Sequence, residues 1–92
     1  MTPQMTRGQR DRTVLLLRCA ADIAVTGDYV LGPDFETAPR LGIGRRECDL
    51  ATRAARRVAK KSGRDPDQAS DLDEYVAIVL EAAIILEEGQ WP

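Results

Sequence analysis

The sequence predicts an all-α fold, a small bundle of three main helices at about 9–25, 45–62 and 71–88, with a short helical turn near 33–38. Apolar residues recur at helical spacing in three segments, and Gly and Pro interrupt the chain between them. Hydrophobic residues make up 43% of the chain and aromatic residues only 4%, so the core must be aliphatic and rich in Ala. Such a core suits closely packed helices better than sheets.

The first predicted helix follows a polar N-terminal segment. Pro3 and Gly8 interrupt this segment, so we expect a flexible tail at 1–8. Since 92 residues support one modest core, we expect a single helical domain at 9–92. On a helical wheel one narrow sector is polar, and within it Arg18 and Asp22 have the i, i+4 spacing of a pair. Apolar residues fill most of the remaining circumference: Leu16, Leu17, Ala20, Ala21, Ile23 and Ala24.

The segment between the first two predicted helices is the least regular part of the chain. Gly27 is the natural cap of the first helix. Pro33 suits the first turn of a short helical segment, and Pro39 limits that segment because the residue before a proline avoids the helical region.

The second predicted helix carries basic residues on one side and small residues on the other. Gly63 is expected to end it. One narrow face holds small side chains, namely Cys48, Ala51, Ala55, Val58 and Ala59.

The third predicted helix, LDEYVAIVLEAAIIL and its flanks, is apolar around most of its circumference. Ser70 or Asp71 is a suitable N-cap, and Gly89 is expected to end the helix. Its broad core face is predicted to comprise Leu72, Tyr75, Val76, Val79, Leu80, Ala83 and Leu86. Ile78 and Ile85 flank this face on one side, and Ala77 and Ile84 flank it on the other. Only the line of Glu74, Glu81 and Glu88 is polar along its length.

This apolar excess predicts an interface. The residues expected to form it are Ile78, Ile84, Ile85 and Trp91. The other two helices could cover both flanks of the last helix. Otherwise another chain must cover them, either a second copy in a homodimer or other homo-oligomer, or a different protein.

Charge is distributed unevenly along the chain. Residues 45–64 hold eight basic residues against Glu47 and Asp49, whereas residues 65–92 hold eight acidic residues and no basic one. The two helices joined by the short linker could lie antiparallel and offset each other's charge. The alternative is that the basic helix binds nucleic acid through Arg45, Arg46, Arg53, Arg56, Arg57 and Lys60.

The stretch ETAPRLGIGRRECDLA, residues 36–51, resembles a helix-turn-helix motif. Its matching positions are Ala38, Leu41, Gly42, Ile43, Cys48 and Ala51. The resemblance implies a DNA-binding protein in which Arg45 and Arg46 enter the major groove near the start of the second helix. Pro39 departs from the pattern, because it falls inside the first helix of the motif.

The whole chain resembles the small orphan proteins of actinobacterial phages. The likeness lies in its size, its Arg- and Ala-rich composition, the segment LLLRCAAD and the ending LEEGQWP. This resemblance implies a regulator that binds a host protein, with no enzymatic activity to carry over.

The residue inventory argues against catalysis and bound groups. The chain has no His, and Cys19 and Cys48 form no C-x-x-C pair, so we expect no metal, no cofactor and no enzymatic activity. We expect both cysteines to be free and buried; a disulfide between them is the alternative, which a reducing cytosol disfavours. No apolar run has the length of a signal-peptide core or a membrane span, so the expected location is cytoplasmic, without a membrane partner.

Overall fold

In the part of the chain that the structure describes, three helices form a small all-α bundle, as predicted. A computed structural model describes residues 3–25, 44–63 and 72–92. The helices are α1 (Arg7–Val25), α2 (Arg45–Lys61) and α3 (Leu72–Glu87), and the described residues include no strand. No helix in these three ranges is long and apolar enough to cross a membrane. The predicted turn near 33–38, and the caps at Gly27, Ser70 and Asp71, lie outside the described residues.

α1 begins two residues earlier than predicted because a capping box precedes it. The Thr6 amide donates to Gln9 Oε1 at 2.9 Å, and the Gln9 amide donates to Thr6 Oγ1 at 3.1 Å. This reciprocal pair satisfies two amides at a helix start that would otherwise lack partners. Arg7 and Gly8, which the prediction assigned to the tail, therefore belong to α1, and Met5 packs against the core.

α2 and α3 end at the predicted glycines. Gly63 has φ +70° and Gly89 has φ +77°, the left-handed conformation that a side chain would disfavour. At the end of α3 the Gly89 amide donates to the Leu86 carbonyl and the Gln90 amide to the Ile85 carbonyl, both at 3.0 Å. This pair of bonds is a Schellman motif, which satisfies the last free carbonyls of the helix.

The core lies where the three helices meet, and α1 packs more extensively on α3 than on α2. α1 contributes leucines, whereas the inward faces of α2 and α3 carry many alanines. The small residues let helix backbones approach closely, which explains how an aromatic-poor chain fills its interior. The buried apolar residues of α1 and α2 are Val14, Leu16, Leu17, Ala20, Ala21, Leu50, Ala51, Ala54, Ala55, Val58 and Ala59.

The core face of α3 is turned toward the Ile78 flank relative to the prediction. Ile78 is buried, whereas Val76 and Leu80, expected in the core, are only partly buried. The buried residues of α3 are Tyr75, Ile78, Val79, Ala82, Ala83 and Leu86. The rotation covers one of the two predicted apolar flanks from within the chain and leaves the Ile84 flank outside.

The residues after α3 fold back against the bundle. Trp91 is partly buried against the core and Pro92 is buried. Arg57 Nε of α2 donates to the Pro92 carbonyl oxygen at 3.2 Å. The end of the chain is thereby held at the surface of α2.

Candidate interaction surfaces

The outward side of α3 is an apolar strip edged by acids. Ile84 is 51% exposed, Ala77 is exposed and Leu80 is partly exposed. Glu81 and Glu88 are both exposed. Glu81 comes one helical turn before Ile84, and Glu88 comes one turn after it. We call these five residues the α3 outward face.

The four residues predicted to form an interface are separated by the fold. Ile84 is exposed, and Ile85 and Trp91 are partly buried against the core. Ile78 is 4% exposed, so its place in an interface with another chain is corrected, because the core of this chain already covers it. The prediction could not separate these isoleucines because both flanks of the helix are equally apolar in sequence.

The outward side of α2 is strongly basic. All six residues predicted to contact nucleic acid lie on it and are exposed, together with Lys61 and the acidic Asp49. The side chains of the α2 outward face are Arg45, Arg46, Asp49, Arg53, Arg56, Arg57, Lys60 and Lys61. Opposite them, Ala51, Ala55, Val58 and Ala59 face inward as predicted, while Cys48 is partly buried.

Glu47 holds the start of α2 against α1. Its side chain is 7% exposed, and Arg12 of α1 donates to its Oε1 from Nε at 3.2 Å and from Nη2 at 3.0 Å. The backbone amide of Glu47 itself most strongly lowers the pKa of this carboxyl; burial opposes the shift, and Arg12 and the Gly44 amide add to it. Glu47 therefore favours its ionised form, and this carboxylate pairs with Arg12 and holds the start of α2 against α1.

Sequence reasoning missed this anchor, although a local signal for it exists. Gly44 is the N-cap of α2, and Glu47 stands three residues later, the spacing at which an acid reaches back to the N-cap amide. A Cβ at Gly44 would stand 3.1 Å from Glu47 Oε2, so a residue larger than Gly would crowd the carboxylate. No sequence signal identified Arg12, which lies 35 residues away along the chain.

An ion pair joins α1 and α3 at the surface. Arg18 Nη2 lies 2.6 Å from Glu87 Oε1, and both side chains are about half exposed, at 48% and 44%. One turn before Arg18, Leu15 is 46% exposed on the outward side of α1. Leu15 and Ile84 are the exposed large hydrophobic residues of the described chain, and they lie on different helices.

The described residues contain no cluster of three or more His, Cys, Asp or Glu that could hold a metal. Cys19 and Cys48 are free, as predicted, but each is only partly buried. Burial and the nearby Glu47 charge raise the pKa of the Cys48 thiol. A thiol that resists ionisation is a poor nucleophile near neutral pH.

The described residues thus form a small three-helix bundle with a basic outward face on α2 and an acid-edged outward face on α3. Comparison with protein-family models, with curated proteins and with solved structures found no match. The α2 and α3 outward faces are therefore the candidate functional surfaces of the described residues.

Proposed function

We propose that this protein is a non-enzymatic protein-interaction module that binds through the α3 outward face. The observation that carries the proposal is the exposure of Ile84 in continuity with Ala77 and Leu80. A scattered exposed hydrophobe is ordinary, but an apolar strip along one helix is the arrangement that helix-in-groove recognition uses. Glu81 and Glu88 supply the polar rim that such a contact has at its edge.

The whole-chain resemblance to small phage proteins supports a specific biological form of this proposal. In that form the protein is a regulator that acts by occupying a surface of a host protein, in the cytoplasm. The partner then needs an apolar groove for Ile84 and basic groups at its edge for the two glutamates. A second copy of the chain offers basic groups of this kind on its α2 outward face.

Ile84→Glu is expected to abolish partner binding without unfolding the domain. The residue is half exposed, so the new charge stays in water in the free protein and would be buried in the complex. The measurement is capture from a nuclease-treated actinobacterial lysate, with circular dichroism on each variant. Leu15→Glu is the matched control, a half-exposed leucine changed in the same way on α1, and its capture should equal that of the wild type. Equal capture by all three proteins would contradict the proposal.

The second candidate is DNA binding through the α2 outward face. It is favoured by the exposure of all six predicted contact residues on one helix. Of the resembling helix-turn-helix stretch, residues 36–43 lie outside the described residues, and α2 begins at Arg45.

Changing Arg45, Arg46 and Arg53 to Glu tests this second candidate. If α2 binds DNA, the wild type gives a mobility shift with DNA and the triple variant does not. The wild-type shift should weaken steeply as the salt concentration rises, because binding to phosphates releases counterions. Under the protein-binding proposal the wild type gives no such shift. Changing Asp11 and Asp22 to Lys is the control, since it alters charge on exposed positions of α1 instead.

A further inference from the structure

We infer that the α3 outward face is covered by the α2 outward face of a second copy of this chain. The inference rests on the proposed function and names its partner. Two features carry it, the complementary spacing of charges on the two faces and the fit of long basic side chains over Ile84.

The charges on the two faces share one repeat. On α2, Arg46, Arg53 and Lys60 are exposed and follow each other every seven residues. At the end of α3, Glu81 and Glu88 have the same separation and are also exposed. Seven residues of helix span about 10.5 Å, so each set forms a line nearly parallel to its helix axis. Two helices packed side by side can therefore bring successive basic and acidic groups together along their length.

Ile84 lies between Glu81 and Glu88 along α3, and the α2 outward face carries side chains long enough to cover it. The outward side of α2 offers no large apolar residue, but arginine and lysine have long aliphatic stems. These stems pack on apolar surface while their charged ends reach outward. A basic side chain laid across Ile84 can thus place its charged end beside Glu81 or Glu88.

The two faces belong to different sides of one bundle, so the contact requires two molecules. Both faces point to solvent, on different helices that meet through their alanine-rich inward sides. A symmetric pairing of α3 with α3 is disfavoured, because it would bring Glu81 and Glu88 of both copies together. The contact between unlike faces closes into a two-fold dimer when each copy's α2 outward face meets the other's α3 outward face, and otherwise builds a ring or a chain of copies.

Charge reversal on one face at a time tests the inference. Arg46→Glu with Arg53→Glu, or Glu81→Lys with Glu88→Lys, puts like charges opposite each other at two positions of the seven-residue repeat. Each double variant should self-associate on the order of tenfold more weakly than the wild type, or worse. Light scattering and sedimentation equilibrium across a concentration series give the association constants. Wild-type association should also weaken from 0.1 M to 1 M salt, as the screening length falls from ~10 Å to ~3 Å.

The quadruple variant, which combines the two double substitutions, is the decisive protein. It again pairs opposite charges at those two positions and has the wild-type net charge of −2, so self-association should recover relative to either double variant. The control is Asp11→Lys with Asp22→Lys, which has the same net charge as the α3 double variant and leaves both faces intact. It should associate like the wild type. Circular dichroism checks each fold, and every substituted residue is exposed.

Three results would each overturn the inference: a wild type that stays at 10.1 kDa at all concentrations, association that salt does not weaken, or a quadruple variant that remains monomeric. The proposed function fails separately. A monomeric wild type that still captures a host protein in an Ile84-dependent way would refute self-association and keep the interaction module. The purified chain alone decides the first question, and the lysate decides the second.

Discussion

Leu16→Ala is expected to destabilise the bundle by about 2–5 kcal/mol. Leu16 is 0% exposed, so the substitution removes buried methyl groups and leaves a cavity that the packed helices fill only in part. A small domain has roughly 5–15 kcal/mol of total stability, so this single change removes a large fraction of it. Urea unfolding followed by circular dichroism measures the loss.

The neighbouring Leu15 provides the matched control. It is 46% exposed, so Leu15→Ala makes the same chemical change one position along α1 but removes little buried surface. We expect a change within about 0.5 kcal/mol. Equal losses at the two positions would contradict the orientation of α1 described above.

Arg12→Ala is expected to cost about 1–3 kcal/mol. The Glu47 carboxylate is nearly buried, and losing Arg12 leaves it with the amide groups but without its cation. The exposed half of the Arg12 side chain keeps the cost below that of a fully buried pair. Arg18→Ala is the control, because both partners of the Arg18–Glu87 pair are about half exposed. That change should cost less than about 1 kcal/mol.

The cost of Arg12→Ala should depend on pH with a defined sign. Folding lowers the pKa of Glu47, so the ionised group stabilises the fold at pH values above its unfolded pKa. That contribution is lost as the pH falls through the lower folded pKa, where the carboxylate becomes protonated. The difference in stability between wild type and Arg12→Ala should therefore be full near pH 7 and shrink as the pH falls toward the lowered folded pKa of Glu47. A difference that grows on acidification would contradict this role for the ion pair.

Helix positions were predictable because their determinants are local. Gly63 and Gly89 end α2 and α3 through a backbone conformation that glycine adopts without strain, and both can be identified without knowing what the helices touch. The start of α1 was also local, since Thr6 and Gln9 have capping-box spacing, although the prediction placed it at residue 9. The bounds of the three helices thus needed little tertiary information.

The two candidate surfaces also differ in how far the sequence could predict them. The basic side of α2 was predictable because small and charged residues separate cleanly around that helix, and each predicted cation is exposed. The contact side of α3 was not, because a helix that is apolar almost all round gives the same pattern whichever way it faces. Arg18 illustrates the limit, since its spacing suggested Asp22 in the same helix, whereas the structure shows a bond to Glu87 of α3.

The sequence by itself determined the all-α class, where α2 and α3 end, and that basic and acidic residues fall on α2 and α3 in turn. Only the tertiary structure decided that Ile78 is core and Ile84 is surface, and that Arg12 neutralises Glu47. The physical reason is distance along the chain. Caps and periodicity act within a few residues, whereas the burial of one flank of α3 depends on α1 and α2, which reach it only after the chain has folded.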